Sequence, residues 1–320
     1  MTAGKHSGLP SLGIVLEGDR PHAELVRLAS LAERLGFDSV HLYEHLPHRP
    51  AWASAFLVAR ETSMVRVGPV TVPAFAYVPV VLARFAAALS EVAGSRAVLG
   101  VSRGAFGELI GRKRPSVSEF VAYLKALNGL LAGDPSPPAL GWAVGKTPRL
   151  YVGTSGTRLC AIAASLRFVS GIVVDNLWDP EYARLMATTA REARASASSD
   201  PEGFELVARP FCYVSEDRRE ALSALLPVLR EYLVQLVGNS PMLRHAGLDV
   251  ASVEEALRGP SDMAEEVARR FAFFGTVEEL EQQLREISKS GVTLVCLGYP
   301  LGKDPEEAIR SVGSALLPRR

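Results

Sequence analysis

Short apolar runs alternate with longer amphipathic stretches along nearly the whole chain. The runs at residues 11–16, 39–42, 65–72, 96–101, 149–152, 171–174, 204–214 and 292–297 have the length and composition of buried strands. Segments of helical period separate them, at 22–35, 51–62, 78–93, 118–131, 157–166, 180–195, 218–237 and 277–290, with 305–317 after the last strand. Gly36 and Gly291 stand where a helix stops directly before a strand. This order predicts an α/β protein, a (β/α)8 TIM barrel. An open doubly wound sheet is the runner-up, because periodicity does not reveal closure. No Gly-x-Gly-x-x-Gly follows the first strand, which weakens the dinucleotide-sheet reading. One domain is expected over residues 1–320. Two segments exceed a minimal barrel: a loop at 131–148 carrying Gly133-Asp134-Pro135, and an insertion at 238–275 whose Pro241, Gly247, Gly259 and Pro260 suggest short helices.

Composition narrows the partners. Lys+Arg and Asp+Glu both number 35, so charge gives no reason to expect nucleic acid or an anionic membrane surface. The richest apolar run, 78–89, contains Pro79 and Arg84 and is too short to span a bilayer, and residues 1–9 lack a signal-peptide core. Cys160, Cys212 and Cys296 show no metal or redox spacing. A reduced, cytoplasmic, soluble protein acting on a small molecule is expected.

In a barrel, chemistry belongs at the carboxyl ends of the strands. Glu44-His45 falls there after the second strand. His45 suits a proton donor and Glu44 a hydrogen-bond partner of a cofactor; two solvated loop residues are the alternative. His41, His45 and His48 raise the idea of a metal, but no acidic ligand is evident beside them, and no metal is predicted. Gly153-Thr154-Ser155-Gly156-Thr157 follows the fifth strand and opens a helix, which suits a phosphate or, equally, an ordinary capped turn. Pro69-Val70-Thr71-Val72-Pro73 ends the third strand, where a bulge could lie against a flat ring or the strand could simply stop. Arg103 follows the fourth strand and could grip an anion, cofactor or substrate, or join a surface salt bridge.

Six segments in register resemble the bacterial luciferase-like family of flavin and deazaflavin barrels. They are 31–38 leading into Glu44-His45, 70–73, 91–101, 150–156, 244–248 and 274–293. The C-terminal half is similar to the coenzyme F420-dependent branch that includes methylenetetrahydromethanopterin reductase. The resemblance implies a barrel, a cofactor ring at the strand carboxyl ends and often a homodimer. It implies His45 as proton donor, with Glu44 in place of the family's Asp. It also implies a non-prolyl cis peptide matching Pro69-Val70 with Val72 near the ring edge, and a cofactor phosphate on Thr154, Ser155, Gly156 and Thr157. Ala105 stands where sugar-phosphate dehydrogenases of the family carry a catalytic Glu, which argues against that substrate. The resulting expectation is an F420-dependent reductase of a C=N or C=C bond, with an FMN-dependent monooxygenase served by a partner reductase as the alternative.

Overall fold

The computed structural model describes residues 8–105, 107–135, 138–197, 203–236 and 241–318. The chain runs β1 Ser11–Glu17, α1 His22–Arg34, β2 Ser39–Tyr43, α2 Ala51–Glu61, β3 Arg66–Pro69, β4 Val72–Pro73, α3 Pro79–Ala93, β5 Val98–Ser102, α4 Val117–Ala132, β6 Arg149–Gly153, α5 Thr157–Ser165, β7 Gly171–Asp175 and α6 Pro180–Ser196. It continues through β8 Glu205–Arg209, β9 Phe211–Val214, α7 Arg218–Arg230, α8 Pro241–His245, α9 Val250–Ala256, α10 Asp262–Ala268, β10 Ala272–Gly275, α11 Val277–Ser288, β11 Leu294–Leu297, β12 Pro300–Leu301 and α12 Pro305–Leu316.

All pairings are parallel, in the order β3-β2-β1-β11-β8-β7-β6-β5-β4. β3 and β4 are two halves of one interrupted stave, and a parallel bridge between Val67 and Ala97 brings the β3 edge to the start of β5. The sheet therefore closes into a barrel of eight staves, which rules out the open-sheet alternative. Gly68 permits the seam: a Cβ there would overlap the Val98 carbonyl. Helix ends follow the local chemistry. Thr276 and Glu279 form a capping box on α11, and Gly36 and Gly291 take φ of 93° and 94° at helix ends, values that Gly adopts without strain.

Three expectations are corrected. The stave expected at 65–72 breaks, and its cis peptide lies at Val70-Thr71, one residue beyond Pro69-Val70. The strand expected at 204–214 is two strands split at Pro210, which has no N–H to continue the ladder. Its second half, β9, leaves the barrel and pairs with β10 and β12 in a three-stranded parallel sheet over the rim. The insertion at 238–275 contains the short helices α8, α9 and α10, but it ends in strand β10; its residues 238–240 lie outside those described. A π-helical turn, Glu231–Leu236, follows α7.

The two-residue period of the strands decides which side chains face inward. Leu12, Ile14 and Leu16 point out to the helices, while Val15 belongs to a separate interior cluster with Val70, Val98, Tyr151, Val173, Val207, Leu294 and Cys296. Following that alternation along each strand stacks the interior in layers. Glu205, Arg149 and Tyr151 meet at the amino end, where Glu205 pairs with Arg66 at 2.9 Å and Arg149 at 3.1 Å and accepts from the Tyr151 hydroxyl at 2.5 Å. The valines fill the middle. Glu17, Tyr43, Asp175 and Arg209 end their strands at the carboxyl mouth, Glu17 opposite Tyr43 and Asp175 opposite Arg209.

Candidate active site

The mouth opens into a cavity of about 330 Å³. The last residues of four staves line it: Glu17, Tyr43, Asp175 and Arg209. His45 and His48 join them from the loop after β2, Glu231 and Tyr232 from the π-helical turn, and Phe211 and Tyr299 from the rim. The apolar runs at 11–16 and 171–174 stop one residue before the ends of β1 and β7, and the run at 204–214 passes through Arg209, so the pattern of runs does not mark Glu17, Asp175 or Arg209. The missed signal was the alternation itself, which carries the inward face through to each strand's final residue.

Arg209 is the pivot of the floor. Its Nε lies 2.7 Å from Asp175 Oδ1, an Nη donates to the Val70 carbonyl at the broken stave, and the guanidinium sits 5.3 Å from the centre of the Tyr43 ring. The cation thus ties β8 to β7 and to the cis-peptide segment. Gly100 provides room for that segment, since a Cβ there would come within 2.6 Å of Val70 Cγ1.

Glu17 and His45 are placed to carry protons. Burial, then the charge of Asp19, with Asp175 and Glu231 adding to it, pushes the Glu17 carboxyl up to about 7 against the pull of Arg209. Burial and then neighbouring His48 lower the proton affinity of His45, while Glu231 opposes the shift. The His45 and His48 rings meet edge-on, 4.5 Å between centroids, and His48 Nδ1 lies 3.6 Å from Glu17 Oε2. One ligand atom from each of Glu17, His45 and His48 falls within 4.8 Å of the others, a spacing that one metal ion could bridge. The trio of histidines does not assemble. His41 points into the barrel interior, fully buried beside Cys296 Sγ at 3.8 Å, and burial holds its proton affinity well below the usual imidazole range.

Glu44 faces away from the cavity. Its carboxylate accepts from Ala51 N at 2.7 Å and from the Tyr77 hydroxyl at 2.7 Å, so it caps α2 and ties it to the segment before α3. Pro69, Val70 and Val72 are buried in the interrupted stave. Arg103 donates from Nε to the Pro115 carbonyl at 2.6 Å and does not line the cavity. It leaves β5 beside Thr154, because Ser102 pairs with Gly153.

The turn at 153–157 is a second locus. Thr154 Oγ1 accepts from Gly156 N at 3.0 Å, and the Ser155 carbonyl accepts from the Tyr182 hydroxyl. Thr157 begins α5 behind Gly156, an N-cap position without a side-chain cap, and a Cβ on Gly156 would meet nothing nearer than 3.7 Å. An uncapped helix start with that much open space can receive an anion.

No helix among the described residues is long and apolar enough to cross a membrane. Comparison with known proteins agrees with the barrel. The chain is 26% identical over 335 residues to 5,10-methylenetetrahydromethanopterin reductase of Archaeoglobus fulgidus, covering 96% of this chain and 98% of that one. It is 25% identical to the F420-dependent glucose-6-phosphate dehydrogenase of Microbacterium testaceum, covering 92% and 93%. The solved structure of coenzyme F420-dependent tetrahydromethanopterin reductase from Methanopyrus kandleri superposes with a TM-score of 0.81 at 20% identity, covering 95% and 97%. The sequence pattern of the family described as luciferase-like monooxygenase matches residues 4–294, and this chain belongs to that family.

Proposed function

We propose that this protein is a coenzyme F420-dependent oxidoreductase that transfers hydride from the reduced deazaflavin to a C=N or C=C bond of a small metabolite. The observation that carries the reading is the cavity lining. Two proton carriers, Glu17 and His45, face it, and its described walls include no Cys, Ser, Thr or Lys. Such walls suit proton transfer beside a bound redox group rather than attack by a thiol, aliphatic hydroxyl or amine. The Microbacterium and Methanopyrus relatives, F420-dependent by name, support the choice of cofactor.

The open, uncapped start of α5 supports a place for that cofactor's phosphate. Gly153, Thr154, Ser155, Gly156 and Thr157 would hold its phosphate at the open start of α5, and Arg103 on the neighbouring strand would add positive charge. Pro69, Val70 and Val72 are buried and do not line the cavity, so they would support the cofactor's ring from behind, with Glu44 acting indirectly by fixing the start of α2. Bound reduced F420 supplies a hydride from carbon. The chain's own part is then positioning, exclusion of water and proton delivery from His45 or Glu17 to the substrate atom that gains electrons. A homodimer is proposed as well, because α2 and α3 pack together and leave Leu57, Val78, Phe85 and Val92 exposed.

Titrating the purified protein with F420 and with FMN, followed by absorbance and fluorescence, tests the reading. F420 should bind the more tightly. His45→Ala should keep F420 affinity while turnover falls by ~10²–10⁴-fold. Micromolar FMN binding with no F420 binding would refute the proposal in favour of an FMN-dependent monooxygenase, the reading that the family's description favours.

A further inference from the structure

We propose that the substrate bound in this cavity is a small organic cation, an amine–iminium pair whose charged nitrogen lies near a hydrogen-bond acceptor. The proposal deepens the function above and rests on it for the redox step, but not for the binding. Three independent features of the cavity converge on this class.

The first is charge. Four carboxyl groups, Glu17, Asp19, Asp175 and Glu231, line the cavity against one guanidinium, Arg209. Arg209 is already paired with Asp175 and with the Val70 carbonyl, and Glu17 keeps its proton up to about pH 7, so the excess of acid over base rests on Asp19 and Glu231. A cation entering it gains Coulomb energy that a neutral or anionic molecule does not.

The second is the wall. Tyr43, Phe211, Tyr232 and Tyr299 contribute four aromatic rings to one small space, and Phe211 and Tyr232 meet at right angles with centroids 5.4 Å apart. Aromatic faces gathered beside carboxylates are how proteins hold ammonium groups, because each ring's face is negative and sheds less water than a charge does.

The third is an orphan donor. Asn176 lines the cavity with only 3% of its surface exposed, and its Nδ2 has no hydrogen-bond partner. A buried amide donor left unmade costs free energy that a ligand acceptor recovers. Its position is fixed by a left-handed backbone, φ 60°, directly after β7. The ligand therefore carries an oxygen or similar acceptor within reach of the charged nitrogen.

Two-electron reduction of such a substrate adds hydride to the iminium carbon and turns the C=N π pair into a nitrogen lone pair. Glu17 or His45 then returns one proton to that nitrogen, giving an ammonium, and the hydride is the one carried in by the reduced cofactor. Oxidation of the reduced cofactor would release one proton besides the hydride, and that proton would restore the one given by Glu17 or His45, so that iminium plus reduced cofactor would become ammonium plus oxidised cofactor.

Calorimetric titration without F420 tests the binding class on the whole protein. The probes are choline, its uncharged carbon isostere 3,3-dimethylbutan-1-ol, 3,3-dimethylbutanoate and tetramethylammonium. Choline should bind at least ~10-fold more tightly than the isostere, and the anion should bind weakest. Glu231→Gln, at the exposed rim, should shrink that ratio. Asn176→Gly keeps the left-handed backbone accessible and should erase choline's advantage over tetramethylammonium. Equal affinity for choline and its isostere, tighter binding of the butanoate, or no binding of choline would each overturn the proposal. Because no cofactor is present, F420 binding without cation preference sinks this inference alone, and cation preference without F420 binding sinks the cofactor reading together with the redox step while the binding class stands.

Discussion

Glu17→Gln tests whether the barrel mouth holds a protonated carboxyl. Burial and the neighbouring acids raise this group from 4.5 to about 7 in the folded protein. In the unfolded chain it titrates near its ordinary value. Between pH 4.5 and 7 the folded state therefore keeps a proton that the unfolded state has released. The stability tied to that proton is complete below pH 4.5, drains away as pH rises to 7 and changes no further above it. The full span is roughly 3 kcal/mol, and about 2.5 kcal/mol of it falls between pH 5 and 8. The Glu17→Gln side chain cannot titrate, so the variant should be spared this loss. At about 2.1 cal/mol/K of unfolding entropy per residue, a chain of 320 residues converts that difference to roughly 4 °C. The assay is thermal melting by circular dichroism of both proteins at pH 5 and pH 8 and fixed ionic strength. Wild type should fall by roughly 4 °C more than the variant across that interval. Parallel shifts, within about 1 °C, would show that the carboxyl ionises normally and would remove Glu17 as a proton carrier.

Other perturbations probe the remaining parts. Glu205→Gln should destabilise the barrel by about 1–3 kcal/mol, since it strips the charge of a half-buried partner from Arg66 and Arg149, while F420 affinity stays unchanged; urea unfolding and a binding titration check both halves. Burial works against ionisation of Glu205, but Arg66, the Tyr151 hydroxyl and Arg149 outweigh it and hold its carboxyl below the ordinary 4.5, so this contribution is present above pH 4.5 and is lost on acidification. Glu44→Ala removes the acceptor for Ala51 N–H and the Tyr77 hydroxyl and should cost about 1–2 kcal/mol in a melt, with Glu44→Gln recovering part of it. Gly156→Asp places a negative side chain at the uncapped start of α5 and should weaken F420 binding at least ~10-fold with no loss, and a small gain, in melting temperature; unchanged affinity would place the phosphate elsewhere.

Much of the barrel is legible from the chain because its signals are local. The apolar runs, the amphipathic segments between them and the glycines at 36 and 291 each report on a few consecutive residues. Position in the order of strands then marks His45 and the turn at 153–157 as lying on the carboxyl face. What the chain alone does not reveal depends on contacts between distant segments. Pro69 through Pro73 read as one strand end, yet whether that stave breaks depends on Gly100 leaving space and on Arg209, far along the chain, holding the Val70 carbonyl. Glu44 and His45 are adjacent in sequence and part company in space: the carboxylate turns to cap α2 and the imidazole turns to the cavity. Glu17 looks like the residue that stops a strand. Only closure of the barrel, which places it among Asp19, Asp175, Glu231 and Arg209, raises its carboxyl toward neutrality. The repeating βα unit is written in the chain, because hydrophobic period and turn chemistry act over short range. Which charges share the mouth follows only from barrel closure, because desolvation and Coulomb energy depend on the distances that folding creates.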